Sequence, residues 1–124
     1  MNLHQLLLAR AEDDHPVHVA LIGAGKFGSM FLAQARHTPG IHILGIADLS
    51  VDRARAAMRA TGWPEEQTSA TSPAKALATG ATFLTDDAGL LINAGGLEVI
   101  IEATGDPEAG ICHALGAIDR GRHI

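Results

Sequence analysis

The sequence is poor in cysteine and in clustered positive charge, and each of these shortages excludes a class of protein. Its single cysteine, Cys112, allows neither an internal disulfide framework nor a four-cysteine metal site. We expect Cys112 to be a small buried side chain within a helix rather than a nucleophile, because no base neighbours it in sequence. The net charge of −5, without any run of lysine or arginine, makes a nucleic-acid backbone a poor partner.

Long apolar runs and metal-type histidine spacings are missing as well. No apolar run approaches the ~20 residues that span a bilayer, so we expect no membrane contact, and the lone cysteine predicts a reducing, cytoplasmic location. The histidines show no H-x-x-x-H or H-x-H pairing, which predicts no metal site and places them at the surface or at strand edges. They are His4, His15, His18, His37, His42, His113 and His123.

What the sequence has is glycine, and its most informative glycines follow an apolar run. The run Val17–Ile22 predicts a buried strand, and the G-x-G-x-x-G pattern of residues 23–28 predicts a tight turn that opens a helix. Gly23 permits the turn, Gly25 lets the main chain approach a pyrophosphate, and Gly28 lets the helix pack closely on the strand. This arrangement is typical of a dinucleotide site.

An acidic residue at the expected distance makes the glycine pattern more specific. A second β-type run, residues 41–47, ends on Asp48, which stands 20 positions after Gly28. A dinucleotide-binding unit places an acid there against the adenosine ribose, and that acid favours NAD over NADP. Arg53 and Arg55 follow closely, and an arginine turned inward would pair with the 2′-phosphate of NADP instead of being solvated on the helix surface. The sequence leaves the choice between NAD and NADP open.

Two further groups of residues are candidates for cofactor contacts. Lys26, in the first turn of the helix, either assists a phosphate or is solvated, and Ala24 and Phe27 complete the turn. Small residues also follow the fourth predicted strand, where a nicotinamide ribose could lie on the main chain. Those residues are Ala103, Thr104 and Gly105. We expect the neighbouring Glu102 to be structural.

Periodicity and capping residues predict the remaining elements. We expect helices over residues 25–37, 51–61 and 107–120, shorter helices ending near Gly80 and Gly95, and strands over residues 82–85 and 97–102. Four sets of apolar side chains are expected to face inward from helices. They are Leu3, Leu6 and Leu7; Phe27, Met30, Phe31 and Ala35; Ala54, Ala57 and Met58; and Ile111, Leu115 and Ile118.

These elements predict an α/β fold, a Rossmann-type doubly wound parallel sheet of order 3-2-1-4. Residues 1–16 form an N-terminal helix and lead-in, and residues 17–124 form the dinucleotide-binding domain. A crossover helix should return to a further strand, so we expect the sequence to be the N-terminal part of a longer protein whose missing domain holds the substrate. An open apolar edge at the fourth strand would favour self-association into a homo-oligomer.

Three stretches also carry a resemblance to a known family. Residues 19–28 (VALIGAGKFG), 98–105 (EVIIEATG) and 121–124 (GRHI) resemble the first strand and turn, the fourth strand and the entry to the fifth strand of homoserine dehydrogenase-like NAD(P)-binding oxidoreductases. The opening MNLH is similar to a branch often coupled to a SAF domain. That branch includes enzymes similar in activity to 1-deoxy-D-xylulose 5-phosphate reductoisomerase, which implies NADPH. The resemblance implies that the catalytic residues lie beyond Ile124.

The expected function is hydride transfer between a nicotinamide and a carbonyl or alcohol carbon of a small-molecule substrate. The protein would bind and orient the cofactor, NAD or NADP, and these 124 residues alone would lack turnover. A competing interpretation is a non-catalytic sensor or regulatory module that binds NAD(H). A third is a nucleotide-binding fold that has lost its ligand.

Overall fold

The computed structural model describes residues 2–124 and has the predicted α/β architecture. Its strands are β1 (Val17–Ile22), β2 (Ile41–Ala47), β3 (Phe83–Thr85) and β4 (Val99–Glu102). Its α-helices are α1 (Leu3–Glu12), α2 (Lys26–Ala35), α3 (Val51–Ala60), α4 (Pro73–Thr79), α5 (Ala88–Ile92) and α6 (Pro107–Asp119), with a 3₁₀ turn at Glu65–Thr68. No helix within residues 2–124 is both long and apolar enough to cross a membrane.

The four strands form one parallel sheet in the order β3-β2-β1-β4, as the sequence predicts. The register between β1 and β2 shifts between Val19 and Ala20, so the two ends of these strands pair with a one-residue offset. After α6 the chain returns to the sheet, where the main chain of His123 pairs beside Val99 in parallel. The outer edge of β4 is therefore touched at one point by the residues that follow α6.

Each face of the sheet is covered by its own apolar core. Side chains along β1 alternate between the two cores, with Ala20 and Ile22 on one face and Leu21 on the other. The Leu21 core includes Leu32 of α2 and Met58 of α3. The opposite core includes helical residues of α4, α5 and α6. Burial on both faces explains why β1 and β2 read as continuous apolar runs.

Capping residues set the helix starts where the sequence predicts them. The side chains of Ser50, Ser72 and Asp87 accept hydrogen bonds from main-chain N–H groups in the first turns of α3, α4 and α5. Asp106 does the same for α6. Gly80, with φ of +80°, ends α4 in the left-handed conformation.

Three predictions about which helical side chains are inside were wrong in part, although Ala35 of α2 is buried as predicted and Phe31 packs against the same core. In α1, Leu3 and Leu6 are 71% and 48% exposed, and no residue of this helix is buried. In α2, Phe27 and Met30 are 62% and 59% exposed, because the helix turns the side of Gly28 and Leu32 toward the sheet. Helical spacing alone did not distinguish these faces.

Helix α6 differs from prediction in the same way. Its apolar side chains Ile111, Leu115 and Ile118 are 60 to 67% exposed. Cys112 is also exposed, which corrects the expectation that it is buried. The residue of α6 that is fully buried is Ala117, which contacts the core on the α5 side of the sheet. Helix α6 therefore turns its smallest side chains toward the sheet.

Candidate functional site

A cavity of about 440 Å³ lies at the carboxyl ends of β1, β2 and β4. In a doubly wound sheet this crevice, where the strand order reverses, is the usual ligand position. Its walls come from the glycine turn, the end of β2, the start of α5, the end of β4 and the first turns of α6. The lining residues are Ile22, Gly23, Gly25, Ala47, Asp48, Leu49, Arg53, Asp86, Ala88, Ala103, Thr104, Asp106, Ala109 and His113.

The three glycines of the turn have different structural reasons to be glycine. Gly23 has φ of +99°, and a Cβ there would lie 2.7 Å from the carbonyl oxygen of Ala103. A Cβ at Gly28 would collide with the carbonyl oxygen of Gly23, so this glycine brings α2 against the turn. A Cβ at Gly25 would meet nothing within 4 Å. Folding requires Gly23 and Gly28, whereas Gly25 leaves space open beside the cavity.

Among the six α-helices of residues 2–124, α2 is the one whose first turn has no side-chain cap. Its N-cap residue is Gly25, which offers no side-chain hydrogen bond, whereas each of the other five α-helices has a side-chain cap. The first N–H groups of a helix have no intrahelical acceptor, and the helix dipole places partial positive charge there. The start of α2 therefore presents main-chain donors and partial positive charge beside the cavity, which would suit an anion.

Asp48 is a buried carboxylate tied to the glycine turn. Its Oδ2 accepts from the N–H of Ala24 at 2.8 Å, and its Oδ1 accepts from the N–H of Ser50 at 2.9 Å. Burial would raise the pKa of Asp48, but the hydrogen bonds from Arg53, Ser50 and Ala24 outweigh it and hold the pKa below its usual value. Asp48 is thus ionised, and it links the end of β2 to the turn after β1.

Arg53 lies over Asp48 and faces the cavity. Its Nη2 donates to Asp48 Oδ2 at 2.8 Å, and its Nε donates to both carboxylate oxygens. The arginine side chain is 59% exposed, so one side of the guanidinium remains open to solvent. Arg55, the other candidate, instead donates to the hydroxyl of Thr68 at 3.1 Å and does not line the cavity.

On the far side of the turn, Glu102 organises the end of β4. Its Oε1 accepts from the main-chain N–H of Thr104 at 2.8 Å and also from the Thr104 hydroxyl. Its Oε2 contacts Nδ1 of His113 on α6. Burial would raise the pKa of Glu102, but the hydrogen bonds from Thr104 and His113 outweigh it and lower the pKa. The predicted structural role of Glu102 agrees with these contacts.

The structure brings together about half of the residues proposed from sequence. Six of them line the cavity: Gly23, Gly25, Asp48, Arg53, Ala103 and Thr104. The other five, Ala24, Lys26, Phe27, Gly28 and Gly105, lie outside the lining. Among those five, Ala24 and Gly28 shape the turn through their contacts with Asp48 and Gly23, and Lys26 and Phe27 are exposed. Their direct role toward a cofactor stays a prediction.

Sequence reasoning missed several lining residues from loops and from α6. Leu49, at 94% exposure, follows Asp48 directly and could have been found by its position. Asp86 and His113 reach the cavity from other elements, and only the packing of α5 and α6 against the sheet brings them there. No group of three or more metal-ligating side chains lies together within residues 2–124.

A second polar cluster occupies the opposite, amino end of the sheet. Nδ1 of His18 lies 2.9 Å from Nδ1 of His42, and Nε2 of His42 lies 2.8 Å from the carbonyl oxygen of Ala81. Glu98 accepts from the N–H of His18 at 3.1 Å and from Arg10 of α1 at 3.1 Å. Two of the histidines expected to be scattered are therefore paired across adjacent strands, and His42 is buried at 8% exposure.

Beside this cluster lies a cleft of about 770 Å³, larger than the cavity at the carboxyl ends. His18 and His42 line it, together with Trp63, Leu77 and neighbouring residues. Both ring nitrogens of His42 and Nδ1 of His18 are already bonded, whereas Nε2 of His18 makes no hydrogen bond within residues 2–124. The smaller cavity adds an uncapped helix start and an arginine–carboxylate pair, which the lining of this cleft lacks.

Comparisons with known proteins show the fold. No family model matches the chain, and no curated protein matches it. The chain is similar to myo-inositol dehydrogenase from Lactobacillus casei, solved in complex with NAD(H) and myo-inositol, with a TM-score of 0.64 and 18% identity over 86% of this chain. It is also similar to levoglucosan dehydrogenase in complex with NADH and L-sorbose, with a TM-score of 0.59 and 24% identity over 88% of this chain. The chain spans about a quarter, 26%, of each neighbour's length.

Proposed function

We propose that this chain forms the nicotinamide-dinucleotide-binding domain of an oxidoreductase. The observation that carries the proposal is the uncapped N-terminus of α2, which opens through Gly25 onto a cavity bordered by Asp48. The dehydrogenase structures that share the fold were solved with NAD(H), which supports this choice of ligand. The homoserine dehydrogenase-like resemblance of the sequence stays a prediction about the branch.

The glycine turn fits the pyrophosphate of such a cofactor. The N–H groups at the start of α2 lack a side-chain acceptor, and the position of the missing Gly25 side chain is empty. Pyrophosphate oxygens would accept from those N–H groups and would gain from the partial positive charge of the helix end. A side chain at residue 25 would occupy the space through which the phosphates approach.

The adenosine ribose belongs beside Asp48, and the surroundings of that acid favour NADPH. Arg53 balances the charge of the carboxylate and two main-chain N–H groups bond to its oxygens, so it presents little free negative charge to a 2′-phosphate. The open side of the Arg53 guanidinium would donate to that phosphate. NADH would instead donate its ribose hydroxyls to Asp48, which would then accept from both the ribose and Arg53. Both cofactors would therefore bind, and Arg53 would shift the preference toward NADPH.

The chemistry expected of the complete protein is that of its cofactor. When bound, the nicotinamide ring gains or loses hydride at C4, and the substrate is a small carbonyl or alcohol compound held by residues outside this chain. The residues described here bind and orient the dinucleotide, and none of them is assigned a catalytic role. These 124 residues alone are expected to bind cofactor without turnover.

Calorimetric titration of NADH and NADPH into the protein and its Gly25→Val variant tests this proposal. Losing two hydrogen bonds to a charged group costs about 3 kcal/mol, so Gly25→Val should weaken both cofactors by roughly 100-fold or more. Its folding stability should fall by at most about 1 kcal/mol, because no atom lies within 4 Å of the new Cβ and the remaining cost is the weaker N-cap preference of valine. Gly95→Val is the matched control, since Gly95 has equally open surroundings away from the cavity. Equal affinity of Gly25→Val and the unmodified protein would refute the pyrophosphate site.

A further inference from the structure

The cavity extends beyond the glycine turn to a histidine with no part in the function proposed so far. His113 lies on α6, and it lines the cavity together with Asp106 and Ala109. Its side chain is 18% exposed, so the ring is held by its surroundings while part of it remains accessible. The ring therefore presents a fixed polar surface to whatever occupies this part of the cavity.

Glu102 fixes which nitrogen of the ring is available. The carboxylate of Glu102 contacts Nδ1 of His113 through Oε2, and its other oxygen is engaged by Thr104. A carboxylate oxygen only accepts hydrogen bonds, so Nδ1 carries the proton and donates it to Glu102. In the neutral ring this leaves Nε2 with a lone pair that accepts.

That second nitrogen has no partner in the protein. Within residues 2–124 the His113 ring makes a hydrogen bond through Nδ1 alone, and no buried side-chain polar atom in that range is left without a partner. Nε2 must therefore reach open space. A hydrogen-bond acceptor held rigidly at a cavity wall is suited to a ligand hydroxyl.

The order of the strands identifies which part of the ligand would meet His113, and this step rests on the proposed function. Asp48 follows β2 and the glycine turn follows β1, while the residues next to His113 follow β4 on the other side of β1. A dinucleotide carries one ribose on each side of its pyrophosphate. With the pyrophosphate at the start of α2 and the adenosine ribose at Asp48, the second ribose extends toward β4 and α6.

We propose that His113, oriented by Glu102, binds a hydroxyl of the nicotinamide-side ribose through Nε2. Glu102 is then a positioning residue, which holds the tautomer and the direction of the ring. The neighbouring Thr104, whose N–H and hydroxyl are both bonded to Glu102, belongs to the same rigid group. His113 and Glu102 together would hold the nicotinamide half of the dinucleotide against the end of β4, as Asp48 would hold the adenosine half.

Two substitutions separate this role from a merely structural one. His113→Asn places an amide N–H near the position of Nδ1 and keeps a donor for Glu102, but it removes Nε2. His113→Gln reaches the position of Nε2 with an amide oxygen but gives up the donor at Nδ1. His37→Asn, at an exposed position after α2, is the matched control.

The measurement is calorimetric affinity for NADPH, ADP-ribose and ADP. ADP-ribose contains the second ribose without nicotinamide, and ADP contains neither. We expect His113→Asn to weaken NADPH and ADP-ribose roughly tenfold and to leave ADP unchanged, because about one hydrogen bond is lost. His113→Gln should retain most of the affinity, and His37→Asn should retain all of it.

Several results would overturn this assignment. Wild-type affinity of His113→Asn, a loss confined to NADPH, or an equal loss for ADP would each contradict a contact with the second ribose. A loss in His113→Gln that exceeds the loss in His113→Asn would mean that the contact with Glu102 is what matters. If the unmodified protein binds none of the three ligands, the proposed function itself fails, and that outcome is distinct from the others.

Discussion

The two ends of the parallel sheet contain the same kinds of polar residue and use them differently. At the amino end, Glu98 pairs with Arg10, and the nearby histidines bond to each other and to the main chain. At the carboxyl end, Asp48 pairs with Arg53, yet the start of α2, the outer side of Arg53 and Nε2 of His113 remain available around one cavity. Both ends keep some free groups, since Nε2 of His18 also makes no hydrogen bond within residues 2–124, but the carboxyl end adds an uncapped helix start and an exposed guanidinium to them. Several free donors that converge on one cavity, more than cleft volume or residue type, mark a binding site.

The strongest test of this comparison concerns the stability of the carboxyl end. Gly28→Ala should lower the free energy of unfolding by about 2 kcal/mol, because its Cβ would collide with the main-chain oxygen of Gly23. Gly25→Ala, in open space, is the matched control and should lose at most about 1 kcal/mol, the cost of replacing glycine at an N-cap. Urea denaturation followed by circular dichroism gives both values. An unchanged midpoint for Gly28→Ala would contradict the close approach of α2 to the turn.

The two arginine–carboxylate pairs provide a test whose expected effect is of intermediate size. Arg53→Ala should shift the ratio of NADPH to NADH affinity about tenfold toward NADH, because one charge-assisted contact to the 2′-phosphate is lost. Arg10→Ala removes the corresponding pair at the amino end and should leave that ratio unchanged. Competition titrations with the two cofactors measure both effects. A ratio that is the same in all three proteins would remove Arg53 from cofactor selection.

The smallest expected effect is a pH dependence of folding at the amino end. Burial and the neighbouring His42 lower the pKa of His18, with Arg10 and His15 adding to the effect and Glu98 opposing it. The unfolded chain therefore binds a proton at a higher pH than the folded protein, so stability falls as pH decreases through about 6.5. Solvent reaches this half-buried ring, so the expected loss is only a few tenths of a kcal/mol.

Denaturation midpoints at pH 7.5 and pH 5.5 measure this dependence. His18→Asn should flatten it, whereas the exposed His37→Asn should not. The carboxylates Asp48, Glu98 and Glu102 all have lowered pKa values, and their contributions are lost only as pH falls below about 4.5. The window above pH 5 therefore excludes these carboxylates, and the His18→Asn variant measures the share that belongs to His18. A dependence that persists in His18→Asn would assign the effect to other groups.

Much of the fold was predictable because local signals and the sheet agree. The apolar runs of β1 and β2, the caps at Ser50 and Ser72, and the spacing from Gly28 to Asp48 each follow from short-range physics, and the structure confirms the predicted elements and strand order. Strand ends were less accurate: β4 begins at Val99, two residues later than expected. An edge strand begins where its hydrogen-bond pairing begins, and hydropathy alone does not show that position.

What sequence could not predict are the contacts between distant elements. Phe27 and Met30 fit a helical apolar stripe, yet the side with Gly28 faces the sheet because only glycine allows that approach. His113 gave no signal in sequence, since its partner Glu102 is eleven positions away on a strand. The pairing of His18 with His42 depends on the register of β1 against β2. Such arrangements follow from tertiary packing, which no local pattern encodes.

The hydrogen bond from Ala24 to Asp48 has a consequence for engineering cofactor preference. Because Asp48 accepts from the main chain of the turn at 2.8 Å, exchanging it would disturb the loop that faces the pyrophosphate as well as the sugar contact. The Arg53 side chain bonds to Asp48 alone among residues 2–124 and is mostly exposed, so it can be exchanged without moving the backbone. A designer who wants to retune this domain should therefore vary position 53 and its surface neighbours and leave position 48 as it is.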